Sequence, residues 1–556
     1  MSGPEPRKAY CWPSPAELRW AGAFALVVML LTCLPYLYGL LIRPPGAYYS
    51  GLLTNPDEHN VYLAYMKQAS DGHAFLIDPF TSEPQAGRVV NAFFLVLGGF
   101  SRVTHLGLPI AYHLARVISG WLLLMAIYCL GAQVLSSIFA RRLALFFAAF
   151  ASGLGWLVQP GAGRPHPIDY GPGLIMPEAV TSLSLLLNPL FCFSMFLMVV
   201  IVGLGAHAFA SGSSRSALLA GLAALLLGNI HTYDLIPIAA ALAVYLLILI
   251  LTGQARIAPA LKLAALIAIL AAPSLAYQVW LLRSGDVTLT IKTAETPVYS
   301  PPPLMLALGL GLPLALALIG LARSCRRDAP AAAKLLAVWL LLGFALAYAP
   351  VPFQRKLVQG VQIPMVLLAA FGVERLLGKV SPAGALSAAA ALVAIMLPSN
   401  LLFIARALQD LQTNNTAYVG NLMPPLYLRA DQRAALAWLD DHADSRDVLL
   451  CNSFLGSYSP SLAGTRVYLG HWAETLHFRE KLAEYSRFLR ADTGDAGREA
   501  LVRREGITYV LRDHSIYDEV FHLSPEGEAL PAFEPGRADW LAPAYDDDQV
   551  ALYRVK

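Results

Sequence analysis

The sequence predicts an α-helical polytopic membrane protein of about eleven transmembrane helices, followed by a C-terminal soluble α/β domain. Three observations lead there. Of 556 residues, 57% are hydrophobic and 14% charged, too few polar groups to cover a soluble globule of that length. Apolar runs of about 17 to 25 residues recur from Trp20 to Ile404, each long enough to cross the hydrocarbon as a helix. Beyond Asn414 the pattern changes to short alternating stretches and amphipathic ones.

Composition also excludes some classes. A net charge of +3, scattered in short clusters, does not suit nucleic acid. Cys33, Cys129 and Cys192 lie in apolar runs, Cys11 and Cys325 in basic flanks, and Cys451 in the polar C-terminal part, with no disulfide framework or CxxC site. No internal repeat is visible.

Residues 1–19 read as a cytoplasmic N-terminus and 20–406 as the transmembrane domain. The first apolar run, Trp20 to Ile42, follows Arg7, Lys8 and Arg19 but is too long for a signal peptide, so it should stay as an anchor. The run Val89 to Val103 is short and broken by Gly98 and Gly99. Reading it as interfacial sends the basic clusters to one side, as short cytoplasmic loops require. The crossings are then about 20–42, 110–137, 141–159, 180–210, 216–233, 236–253, 258–282, 303–322, 333–349, 360–376 and 383–405. Arg141, Arg142, Arg215, Arg256, the "RSCRR" of Arg323 to Arg327, Lys334, Arg375 and Lys379 fall at cytoplasmic ends. An odd count places the C-terminal domain, 407–556, outside.

The outer face then holds a first loop, 43–109, with interfacial helices, and the stretches "GAGRPHPIDYGPGLIMPE", "NIHTYD", "DVTLTIKTAETPVYSPPP" and "PVPFQRKLVQG". Their Pro and Gly content marks irregular backbone, which suits the wall of a wet cavity. In the C-terminal part "RADQRAALAWLDDHADS" and "AETLHFREKLAEYSRFLR" have helical spacing, and "RDVLLCN", "TRVYLGH", "ITYVLRD" and "QVALYRVK" read as strands. "GHWAET" is either a sugar contact through His471, Trp472 and Glu474 or a strand-to-helix turn around a buried Trp472.

The candidate site residues come from the outer face. In "NPDEHNVYLAYMKQASDG", Asn55 suits an N-cap, Pro56 the first helical position and Glu58 a capping-box acid. Val61, Tyr62, Tyr65, Met66 and Ala69 form an apolar stripe, which predicts a helix lying flat with Asp57 and Glu58 at its start. Those acids either serve chemistry or only favour the helix dipole. Asp169 and Glu178 are open to a turn or helix-start role as well as a ligand role. His231 and Asp234 sit at a depth where ionisable groups line cavities or close a helix break. Arg355 and Lys356 form an outside basic pair that breaks the positive-inside pattern, fit for phosphate or for snorkelling to headgroups. Acids that take a proton and bases that hold a phosphate suit movement of a sugar from a lipid phosphate to a hydroxyl.

The first-loop "PDEHNVYLAYMKQASDG", the segment through "GGFSRVTHLGLPIAYHLARVISG", the "NIHTYD" helix end and "PFQRKLVQG" together resemble the polytopic glycosyltransferases of the GT-C superfamily, which includes protein O-mannosyltransferases and lipid A aminoarabinose transferases. "AGTRVYLGHWAETLHFREKLAEYSRFL" is similar to a segment of bacterial membrane proteins of this type. The likeness covers most of the chain in layout through short motifs. It implies a polyprenyl-phosphate-linked sugar donor, a lipid, glycan or protein acceptor on the outer side, and inverting displacement. Asp57 matches the place of the first-loop base, with Glu58 beside it, and Arg355 and Lys356 would stabilise the departing phosphate. No WWD-type signature is present. A divalent ion, Mg²⁺ or Mn²⁺, on Asp57, Glu58 or Asp169 stays open, because adjacent acids are no metal signature by themselves. The expected setting is a bacterial inner membrane with a periplasmic C-terminal domain. The rival reading is a transporter of a polar or lipid-linked substrate, with inverted repeats not evident.

Overall fold

Ser14 opens the first helix by a capping box: its hydroxyl accepts from the Glu17 N–H at 3.3 Å, and the Glu17 carboxylate accepts from the Ser14 N–H at 3.0 Å. From there the computed structural model describes residues 12–157, 176–285, 291, 295–414, 423–490, 492–514, 533–547 and 549–556. Among the described residues eight helices are long and apolar enough to cross a membrane, or up to nine if the bent pair Pro382–Met396 and Pro398–Thr413 is one span. Two more of the eleven expected crossings are helices of 17 and 16 residues, Ser214–Ile230 and Ala331–Leu346. The helix Ala92–Thr104 has 13 residues and is about 20 Å long, short of the ~30 Å hydrocarbon thickness.

Contacts divide the chain into two compact units. The helical unit comprises Met1–Leu34, His113–Trp280 and Val298–Arg406, and the mixed unit comprises Pro35–Tyr112, Leu281–Pro297 and Ala407–Lys556.

In the helical unit the helix Gln362–Leu377 is buried from Gln362 through Val373, whereas Leu261, Ile269 and Leu275 of the helix Ile257–Arg283 are exposed. Apolar side chains left outward in this way suit lipid, not water. Three helix breaks lie together. Gly311 leaves the helical conformation inside Pro303–Ser324, the chain leaves its helix at Ala151, and the bent pair breaks at Leu397. Their freed backbone groups satisfy one another: Leu154 N–H donates to Leu308 O at 2.8 Å, Ser152 N–H to Met396 O at 2.9 Å, and Ser399 Oγ to Gly153 O at 2.8 Å. Unpaired backbone polar groups at such depth would cost several kcal/mol each, on the order of a lost hydrogen bond in hydrocarbon.

The mixed unit is built on a five-stranded sheet. With β1 (Tyr48–Tyr49) and β2 (Tyr427–Leu428) paired as a separate ladder, the sheet contains β3 (Val448–Leu450), β4 (Arg466–Val467), β5 (Tyr509–Asp513), β6 (Leu541–Asp547) and β7 (Val550–Val555) in the order β4-β3-β5-β7-β6. The β3 pairs with β4 and β5 are parallel, while the β5–β7 and β6–β7 pairs are antiparallel. Every residue of β3 and β5 is buried because both faces are covered. Leu449, Tyr509 and Leu511 face a cluster with Val61, Ala64, Leu436 and Leu455, and Val448, Leu450 and Val510 face one with Tyr485, Phe488, Val502 and Trp540. The free edge of β4 is closed by the first-loop chain, where Val467 N–H donates to Pro79 O at 2.9 Å.

Four expected strands and two expected helices of the C-terminal part are present. The sequence reading missed β6 and the helices Ser453–Leu462 and Asp495–Arg504. The helix Pro56–Asp71 corrects another expectation. Its burial is not confined to one apolar stripe, because Asp57, His59, Asn60, Leu63, Ala64, Met66 and Gln68 are all buried. It packs against Ala92–Thr104 at Gly98, where a β-carbon would stand 2.4 Å from Met66 O and 2.5 Å from Ala69 Cβ. In the C-terminal turn the buried side chain is His471, whose Nδ1 accepts from the N–H groups of Ala473 and Glu474, while Trp472 is exposed. The expected buried Trp472 is thereby corrected.

Candidate active site

Asp57 and Glu58 are neighbours in sequence but turn to different surroundings, as successive helical residues do. Asp57 is buried, and its Oδ1 accepts a hydrogen bond from the Ser457 hydroxyl; Glu58 is exposed. One turn further on, Ser461 Oγ donates to Asn60 Oδ1 at 3.4 Å. Asp57 and Asn60 thus meet Ser457 and Ser461, spaced three and four apart on their two helices. The same helix is also held close to the chain after β4, where a β-carbon at Gly456 would stand 1.9 Å from Leu469 O.

Burial pushes the Asp57 carboxyl up to about 7; the Ser457 hydrogen bond pulls the other way, and the Glu58 charge adds to the rise. Both protonation forms are therefore populated near neutral pH, the condition a general base or acid needs. The helix start departs from the expected capping box. Asn55 sits at φ 44°, in the left-handed region, and its side chain makes no capping bond. Its carbonyl instead meets His59 Nδ1 at 3.0 Å.

A second array lies within the helical unit. Glu178 is buried, and its Oε1 stands 2.8 Å from Arg355 Nε. The adjacent Lys356 ammonium lies 4.9 Å from the centre of the Tyr233 ring, which contacts Phe353 at 4.8 Å. His231 Nδ1 stands 3.0 Å from Oδ1 of the fully buried Asp234, and Gln359 Nε2 donates to Asp234 Oδ2 at 2.8 Å and to the Ser194 hydroxyl. The backbone braces the same residues, with Gly360 N–H donating to Glu178 O at 3.2 Å. Arg355, Lys356, Glu178, His231 and Asp234 are therefore brought together around the turn Gln354–Val358.

Asp169 lies outside the described residues. Sequence reasoning missed Ser457, Ser194, Tyr233 and Gln359; the last two stand inside or beside stretches already singled out, "NIHTYD" and "PFQRKLVQG". Among the described residues no three His, Cys, Asp or Glu side chains are close enough to share a metal ion. A buried Asp57 bound to a hydroxyl beside an outward Glu58 does not make the ligand pair that Mg²⁺ or Mn²⁺ would use.

No family model and no curated protein matches the chain in sequence. Solved structures do match in fold. The oligosaccharyltransferase of Archaeoglobus fulgidus, in a complex with Zn and sulfate, has a TM-score of 0.53 at 12% identity, covering 95% of this chain and 73% of that one. A mutant of the arabinofuranosyltransferase AftD from Mycobacteria has a TM-score of 0.55 at 14% identity, covering 98% of this chain and 42% of that one. Helical spans, a C-terminal sheet and these likenesses define the chain as a polytopic membrane protein of the GT-C fold.

Proposed function

We propose that the protein is a membrane glycosyltransferase, transferring a sugar from a polyprenyl-phosphate donor to an acceptor hydroxyl with inversion. The observation that carries this reading is the buried Asp57, its carboxyl held by one Ser457 hydroxyl and pushed up to about 7. The fold supports it, since two proteins that share it are an oligosaccharyltransferase and an arabinofuranosyltransferase.

In this reading Asp57 accepts the acceptor hydroxyl's proton as that oxygen bonds to the anomeric carbon. The bond from that carbon to the phosphate oxygen breaks, and its electron pair leaves with the phosphate. The growing charge calls for cations, for which Arg355, oriented by Glu178, and Lys356 are the candidates. His231 and Asp234 hold the backbone beside them through Gln359. The charge pattern favours a cytoplasmic N-terminus and outward chemistry, and a bacterial inner membrane is the setting proposed with it.

The test is label transfer from a panel of polyprenyl-phosphate sugars by purified wild type and Asp57→Asn. Transfer should be lost in the variant by about 100-fold or more, the usual worth of a positioned base, and the wild-type rate should rise with pH through about 7. In Ser457→Ala that rise should move to higher pH, because the hydroxyl favours the charged carboxylate. Equal transfer by both proteins removes Asp57 as base. No turnover by the wild type with any donor overturns the glycosyltransferase reading and leaves substrate transport as its rival.

A further inference from the structure

At the other end of the helix Gln362–Leu377 from Arg355, 16 residues or about 24 Å along the axis, the helical unit contains a cavity of about 1280 Å³. It is far from the turn Gln354–Val358 and shares no residue with the candidate active site. Its polar wall holds four cations, Arg323, Arg326, Arg375 and Lys379, against two carboxylates, Asp328 and Glu374.

Both carboxylates are already engaged. Glu374 Oε1 accepts from Ser136 N–H at 3.0 Å, Ser136 Oγ at 2.8 Å and Ser137 N–H at 2.9 Å, and Asp328 Oδ1 accepts from Arg326 Nε at 3.1 Å. Arg323 is held over the Phe371 ring at 3.9 Å and donates to Phe371 O. Arg375 and Lys379 make no side-chain hydrogen bond or ion pair among the described residues, and both are exposed. Arg375 in the last turn of the helix and Lys379 just past its Gly378 cap both line the cavity, and among the described residues only the charge of Asp328 acts toward Arg375 from the opposite wall. The remaining wall is apolar, with Phe139 and Val380 both open to the surroundings.

We infer that this cavity binds a phosphate group, presented by a phospholipid whose chains lie along the apolar wall. A basic pocket between membrane helices is the geometry that takes an anionic headgroup. An always-charged guanidinium and an ammonium suit a phosphodiester, and the cavity is too large for inorganic phosphate alone.

The experiment uses the full chain in phosphatidylcholine nanodiscs carrying a photo-crosslinkable phosphatidylglycerol. The label should map to the stretches around Arg323–Asp328 and Glu374–Pro382. Apparent affinity should fall roughly 30-fold in Arg375→Gln/Lys379→Gln, at about a kilocalorie per basic residue. Asp328→Asn retains every cation and removes one carboxylate, so it should label more strongly than wild type, and weaker labelling there overturns the proposal. Label that survives millimolar inorganic phosphate supports the phospholipid, and label displaced by it assigns the pocket to a free phosphate and overturns the lipid assignment. Equal labelling of wild type and the double variant overturns it.

Discussion

Asp57 carries a cost that depends on pH. Its carboxyl ionises near 3.8 in an unfolded chain and near 7 in the folded one. Between those values the folded state holds the extra proton, so stability falls as pH rises and levels off above about 7. Asn at this position accepts the Ser457 hydrogen bond without ever ionising. Asp57→Asn should therefore unfold with the wild type near pH 4 and be more stable at pH 8, by on the order of a few kcal/mol. Thermal unfolding in detergent at the two pH values checks it, and a variant less stable at pH 8 would remove buried charge as the cause. The residue itself was legible as an acid following an apolar run. Its burial was not, because Ser457, a common residue type, is separated from it by 400 positions.

The helices of the mixed unit were legible in proportion to their apolar periodicity. The helix Ala430–His442 shows alanines and leucines at helical spacing and was expected; Ser453–Leu462, written "SFLGSYSPSL" with an internal Pro460, resembles a loop and was not. Its only signal was Asn452, whose side chain caps it by accepting from the Leu455 N–H at 2.9 Å. Small residues that hide a helix from periodicity are the same ones that let it approach another closely. Gly98 and Gly99 allow a direct check on the helix Ala92–Thr104. A β-carbon at Gly98 meets backbone at 2.4 Å, while one at Gly99 meets nothing within 4 Å. Gly98→Ala should lower stability by about 1–3 kcal/mol, and Gly99→Ala should be neutral or raise it by up to about 1 kcal/mol. Paired unfolding curves separate the two, and equal losses would mean that the helices are free to move apart.

For the whole molecule, hydropathy located the membrane segments well, because a crossing must be apolar wherever its partners are. The pairing of Arg355 with Glu178 was hidden, since nothing local marks two charges 177 residues apart as partners. Orientation rests on the basic clusters, and Cys325 among "RSCRR" is exposed while Cys192 and Cys451 are buried. A membrane-impermeant maleimide should label Cys325 only after the cells are opened, and Cys325→Ser should lose that adduct. Labelling in intact cells would reverse the assigned sides. The bond between Asp57 and Ser457 has a further meaning in time. A ribosome emits the acid long before the hydroxyl, so through most of synthesis the nascent chain carries an ordinary carboxylate there. The candidate base acquires its character only when the helix Ser453–Leu462 has been made and docked. Products terminated before the helix Ser453–Leu462 would accordingly reach the membrane with an acid in place but untuned, which makes the docking of that helix the step that arms the protein.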